Sequence, residues 1–251
     1  MNGLRLERLS WHQARDLLRR PDCVGLLPIG ATEAHGPHLP LFTDNYLSDE
    51  LCQRIAAALR GRCTCVILPA LTTAVTTYAA GFAGSIDLRV ETARSLLEDM
   101  LSACSRHGPA TVALINSHLE PGHIQLLQEA AAAPRDRPRV LFVNHCRKPW
   151  ALELGNEFKS GDCHAGRYET SLLLASHWAD AIDATYRQLP PVQAGLVAKM
   201  KAGVRAFDEM GADQAYFGEP AQASAEEGER LWSVLVRMWV ESILRHHAEI
   251  S

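Results

Sequence analysis

Short apolar runs alternating with amphipathic stretches constrain this chain more than any other feature of its sequence. Runs at residues 23–29, 65–71, 110–115 and 140–144 are strand-sized and rich in Val, Leu and Ile. Continuous apolar character over so few residues predicts strands buried on both faces. Between them lie helical periods. Residues 45–59 set Leu47, Leu51, Ile55 and Leu59 on one face, and Thr43 or Asp44 is placed to cap that helix. A second helix starts at Ser85 or Asp87, runs through Leu96, Leu97, Met100, Leu101 and Cys104, and stops at His107-Gly108-Pro109. Residues 124–133 make a third. This rhythm predicts an α/β fold with a mainly parallel sheet covered by helices on both faces. Residues 72–85, rich in Thr, Ala and Gly without a clear period, read as a long active-site loop. The second half is less regular. Residues 148–162 read as a loop or lid, 165–178 as a helix, 188–194 as a Pro-containing loop, and 226–247 as a long amphipathic helix. No linker divides the chain, so residues 1–251 are expected to form a single domain.

Bulk properties exclude several classes. The chain is 47% hydrophobic and 22% charged, an ordinary globular balance. A formal net charge of −4 without a basic run argues against nucleic-acid binding. No apolar stretch is long enough to span a membrane, and residues 1–20 lack the apolar core of a signal peptide. The seven cysteines are odd in number and unpaired in spacing, which points to free thiols and a cytoplasmic location.

Three clusters carry the chemistry. Glu33-Ala-His35 follows the first strand, with Asp44 nine residues after His35. In extended chain, residues i and i+2 share a side, so Glu33 and His35 face one site. His118-Leu-Glu120 repeats the pattern after the third strand. Both pairs therefore emerge at the carboxyl edge of one sheet, where ligands of such folds gather. His164, with Glu169 five residues on, forms the third cluster. Imidazoles and carboxylates in this mixture suit zinc or manganese. The count suggests two ions, which can share a hydroxide and polarise a carbonyl together. Blander readings stand beside these: Asp44 as a helix cap, His164 and Glu169 as a buried hydrogen-bonded pair, His38 and His123 as structural histidines or as supports behind the ligands.

These residues resemble the signature of the creatininase (creatinine amidohydrolase) family. The match lies in Leu27-Pro-Ile-Gly-Ala-Thr-Glu-Ala-His-Gly-Pro-His-Leu-Pro-Leu-Phe-Thr-Asp44, Gly81-Phe-Ala-Gly-Ser-Ile86, Asn116-Ser-His-Leu-Glu120 and His164-Ala-Gly-Arg-Tyr-Glu-Thr-Ser171. The resemblance implies a three-layer α/β/α sandwich and a homo-oligomer, commonly a hexamer. It implies one ion on Glu33, Asp44 and His118, and another on His35, Asp44 and Glu120. It gives His164 the role of proton donor and puts Glu169 beside the metals, orienting their ligands. The chain departs from creatininases proper where their aromatic lid sets a tryptophan a few residues before the catalytic histidine. Here Phe158-Lys-Ser-Gly-Asp-Cys163 holds none, and Trp150 is the tryptophan of this lid region. Arg167 and Lys159 point to an anionic group on the substrate, or to plain surface charge.

The expected activity is hydrolysis of a non-peptide amide C–N bond, in a cyclic amide or a formamide, by a metal-bridging hydroxide. Glu120 and His164 are the catalytic residues, and Zn2+ and/or Mn2+ the ions. Peptide trimming or another biosynthetic tailoring hydrolysis is the first alternative. A non-catalytic binding or scaffold protein on the same fold is the second.

Overall fold

The structure, a computed structural model, describes residues 4–248. Five parallel strands form the sheet among the described residues: β1 (Leu4–Arg5), β2 (Cys23–Ile29), β3 (Thr64–Ile67), β4 (Thr111–Asn116) and β5 (Arg139–Leu141), in the order β1-β3-β2-β4-β5. Four of these were expected. The fifth, β1, is a two-residue edge strand paired to β3, too short to leave a pattern in the sequence. Every residue of β2 and β4 is buried, as continuous apolar runs demand.

The helices are α1 (Trp11–Leu18), α2 (Thr43–Ala58), α3 (Val90–His107), α4 (Pro121–Ala132), α5 (Gly155–Ser160), α6 (Arg167–Leu174), α7 (Leu196–Lys201) and α8 (Ala225–Ala248). They cover both faces of the sheet, giving the three layers. Alternate residues of each strand sort the core. Val24, Leu26, Ala113 and Ile115 pack with α2, α6 and α8. Leu27, Ile29, Val112 and Leu114 pack with Ala93, Leu97 and Leu101 of α3 and with Leu126, Leu127 and Ala130 of α4.

Three expectations need correction. The helix expected from Ser85 or Asp87 begins at Val90, because both side chains are engaged in holding loops. Ser85 Oγ accepts from Ala34 N, and Asp87 Oδ1 accepts from Thr76 N. The loop expected over residues 148–162 contains α5 and a 3-10 turn, Trp150–Leu152. The helix expected over 165–178 is the shorter α6.

α6 and α8 approach so closely that Gly228 is obligatory: a Cβ there would stand 1.9 Å from the Ser171 carbonyl oxygen. Beside that contact Trp232 is 1% exposed, and its indole N–H donates to Leu172 O at 3.0 Å. Trp232→Ala is expected to destabilise the chain by about 3–5 kcal/mol, read as a lower urea midpoint. A loss below ~1 kcal/mol would mean that α8 is not part of the cooperative core.

The chain leaves β2 toward β3 on one side and returns to β4 on the other. The carboxyl ends of β2 and β4 thus flank a topological switch point, the crevice where open α/β sheets bind ligands. Glu33 and His35 follow β2, and His118 and Glu120 follow β4, so the topology brings both pairs to that crevice.

Candidate metal centre

Four carboxylates and three imidazoles converge at this crevice. Glu33, His35 and Asp44 are each 3% exposed or less, His118 and Glu169 3%, and Glu120 7%. Gly30 makes the convergence possible: a Cβ there would lie 2.7 Å from Asn45 N and from the Asp44 carbonyl carbon, so only glycine lets the first turn of α2 reach the end of β2. Asp44 is therefore not a helix cap. Phe42 holds the cap position without a side-chain bond, and Asp44 Oδ2 turns inward to accept from Ala31 N at 3.3 Å.

Both inner histidines are oriented in the way metal ligands are. His35 Nδ1–H donates to the Glu33 carbonyl at 3.1 Å. Its Nε2 is buried, has no hydrogen-bond partner, and faces Asp44 Oδ1 at 3.3 Å, Glu169 Oε2 at 3.7 Å and Glu33 Oε1 at 3.9 Å. His118 Nε2–H donates to Val75 O at 2.8 Å, which aims Nδ1 at Asp44 Oδ2, 3.0 Å away, and Glu33 Oε1, 3.2 Å away. A ring N–H tied to a backbone carbonyl fixes the tautomer and offers the other nitrogen to a cation.

Two triplets share Asp44: Glu33–Asp44–His118 and His35–Asp44–Glu169, each with its ligand atoms within 4.8 Å of one another. Ligands about 2.0–2.2 Å from one ion stand at most about 4.4 Å apart, so small side-chain shifts suffice. The donor set and the unpartnered His35 Nε2 fit divalent ions. The first triplet is the expected one. In the second, Glu169 stands where the resemblance placed Glu120. The first turn of α6 delivers Glu169 into the cluster, where Oε2 also accepts from Ala165 N at 2.6 Å. Glu120 is held instead at the rim by Tyr78 N–H, 3.4 Å from its Oε2. A further grouping, Glu33–His35–His164, sets His164 at the edge of the cluster.

Electrostatics show how crowded the charges are. Burial works against the charge of Glu33, but the His118 ring holds its carboxyl down at about 2. Asp44 stays below the usual carboxylate range, since His35 and His118 outweigh its burial. Burial would lower His35, yet the facing Asp44 and its neighbours carry it up to about 10. Burial pushes Glu120 up to about 7 and Glu169 to about 8. Protons thus sit where cations fit.

His164 is more open, with 11% of its side chain exposed. Its Nε2–H donates to Ala34 O at 3.0 Å, leaving Nδ1 toward the cluster, 3.8 Å from Glu33 Oε1. Burial lowers it to about 4. Its ring lies 4.6 Å from that of Phe207, which lies 6.0 Å from that of Tyr78. This aromatic wall escaped the sequence reading. Tyr78 sits in the loop singled out at 72–85, but Phe207 lies in a stretch without periodicity. The same loop supplies Val75 O to His118 and the Thr76 hydroxyl to Glu33.

The other nominated residues lie outside this gathering. Trp150 packs beneath Arg237 of α8, whose guanidinium lies 5.5 Å from the ring centre. Arg167 pairs with Glu227 of α8. Both contacts are made with α8, and neither side chain stands in a ligand grouping among the described residues. His38 Nε2 meets Thr170 Oγ1 at 3.0 Å and His123 Nε2 meets Asn116 Oδ1 at 3.0 Å, and neither ring stands in a ligand grouping among the described residues. Among the described residues no helix is long and apolar enough to cross a membrane.

A switch-point crevice holding a buried carboxylate–imidazole cluster defines a metallohydrolase of the amidohydrolase type. The chain belongs to the creatininase family, a family of metal-dependent hydrolases of amide bonds: the sequence profile described as Creatinine amidohydrolase matches residues 7–243. It is 30% identical over 233 residues to a mycofactocin precursor peptide peptidase of Mycolicibacterium smegmatis, covering 88% of this chain and 84% of that protein. It is 27% identical over 192 residues to a creatinine amidohydrolase of Pseudomonas putida, covering 70% and 72%. A crystal structure of creatinine amidohydrolase superposes with a TM-score of 0.74 at 23% identity over 98% of this chain and 99% of that one, and a manganese form of creatininase with 0.73 at 22% over the same shares.

Proposed function

We propose that this chain hydrolyses the C–N bond of a small amide at two divalent cations, zinc or manganese, one held by Glu33, Asp44 and His118 and the other by His35, Asp44 and Glu169. The observation that carries this is Asp44, shared by two triplets whose histidines present fixed, cation-seeking nitrogens. Ions so placed activate water and polarise the amide carbonyl. The chain's own residues do the rest. Glu120, raised to about 7 by burial, takes the proton released as the carbonyl carbon is attacked. The proton that Glu120 takes up is passed on to the departing nitrogen through His164 Nδ1, the ring being held by its Nε2–H on Ala34 O. Phe207 and Tyr78 wall the side from which the amide enters and keep water away from it.

Chelation is the direct test. Stripping the metal is expected to abolish turnover and to lower the melting temperature, because ions that bind only the folded chain add about 4 kcal/mol at a thousand times their Kd. Added zinc or manganese restores both. Full turnover in chelated protein would end this reading, whereas a metal-loaded protein with no turnover on any amide would leave the scaffold alternative.

For the substrate, the leading reading is a non-peptide amide, cyclic or formyl. Peptide trimming is the second, favoured by the peptidase relative, which matches more of the chain at higher identity than the creatinine amidohydrolase does. The displaced Trp150, which removes the expected lid tryptophan, weighs the same way. A panel of creatinine, formamides and short peptides separates the two. The homohexamer implied by the resemblance is retained as the expected assembly, measurable by light scattering.

A further inference from the structure

The carboxylates of the centre leave one question of substrate recognition open: which cation offsets an anionic group on the amide. Arg167 and Lys159 were the sequence candidates: the structure commits Arg167 to Glu227 and leaves Lys159 exposed on α5. Lys199 is likewise committed, its Nζ donating to Met210 O at 2.6 Å. Arg205 is different. Its side chain reaches the aromatic wall, where Nη1 donates to the Tyr78 hydroxyl at 3.1 Å. Among the described residues it forms no ion pair. A guanidinium carries five N–H donors in a planar fork matched to a carboxylate, and the tyrosine hydroxyl engages one.

The position of Arg205 is set, not incidental. Phe207 N donates to Tyr78 O at 3.0 Å, so the segment bearing Arg205 is locked to the loop bearing Tyr78. Tyr78 N–H in turn holds Glu120, and Phe207 packs on His164. Glu120 and His164 are the cluster residues with the most exposure, at 7% and, for the His164 side chain, 11%. A substrate therefore approaches across them, along the wall that ends at Arg205. The guanidinium stands at the far end of the Tyr78 side chain from the backbone N–H that fixes Glu120.

We propose that Arg205, positioned by Tyr78, is the specificity-determining residue that binds a carboxylate on the substrate, with the scissile amide at the other end of the Tyr78 side chain. The carboxylate belongs either to the C-terminus of a short peptide or to a small N-acyl amino acid. This rests on the amide-hydrolase reading above and adds to it the charge of the substrate.

The test compares short peptides and N-acyl amino acids as free acids and as neutral amides, with metal-loaded wild type, Arg205→Gln, Arg205→Lys and Tyr78→Phe. Turnover is measured, and binding to metal-loaded Glu120→Gln protein, with and without Arg205→Gln, is followed by calorimetry. Wild type is expected to prefer acids. Arg205→Gln is expected to lower the acid-over-amide preference by about 10- to 100-fold, through KM with little change in kcat. Arg205→Lys keeps part of the preference, and Tyr78→Phe loses a smaller part. Whether peptides or N-acyl amino acids show the larger preference identifies the source of the carboxylate. Amide turnover or binding with no Arg205-dependent preference overturns this proposal alone. A wild-type chain that neither binds nor cleaves any member overturns it together with the amide-hydrolase reading.

Discussion

Asp44→Asn is expected to cut amide turnover more than about a thousandfold and to lower bound divalent metal to less than one ion per chain. The size of the effect follows from sharing. Asp44 Oδ1 faces His35 Nε2 at 3.3 Å while Oδ2 faces His118 Nδ1 at 3.0 Å, so each oxygen serves a different triplet. Asparagine preserves the shape but replaces one oxygen with an N–H donor, which turns a ligand into a competitor for the facing imidazole. The fold should survive, since Gly30, not the Asp44 carboxylate, admits the first turn of α2. Metal content by mass spectrometry and helicity by circular dichroism decide the matter together. A folded Asp44→Asn protein that retains two ions would show that the triplets do not share this residue.

His164→Ala is expected to lower kcat by about a hundred- to ten-thousandfold while leaving the metal content unchanged. The competing role is real in the geometry, because His164 also stands in a grouping with Glu33 and His35. The two roles separate cleanly. A proton donor matters least when the leaving nitrogen is already a good leaving group, so an anilide with an electron-withdrawing ring should lose far less activity than an alkyl amide in this variant. A ligand role would cost metal and would penalise both substrates alike. Loss of an ion from His164→Ala protein would end the proton-donor assignment.

Much of this could be read from sequence because burial and periodicity left local marks. β2 and β4 are continuous apolar runs, and their polar exits carry Glu33, His35, His118 and Glu120 at a spacing of two, so the edge of the sheet and half of the cluster were visible. What was not legible depended on packing between distant segments. The position of Glu169 in a triplet depends on how α6 docks, which Gly228 of α8 decides from some sixty residues away. The same docking turns Arg167 away. Trp150 sits at a place in the sequence that suits a lid, yet its ring finds Arg237 of α8. Phe207 and Arg205 lie in a segment with no period, and their meaning arises only when that segment locks onto Tyr78. Asp44 shows the remaining difficulty: its sequence position fits a cap as well as a ligand, and the closeness of Gly30 to the helix start is what separates the two.

The crowding of Glu33, Asp44, Glu120 and Glu169 in one buried space reaches beyond catalysis. Like charges enclosed together repel unless protons or cations intervene, so ions bound there would add to the compensation that the His35 and His118 rings already supply. A population synthesised faster than ions are delivered would spend longer partly open, exposed to proteases and aggregation. The abundance of this protein would then track the cell's supply of divalent ions, independently of how much of its message is translated.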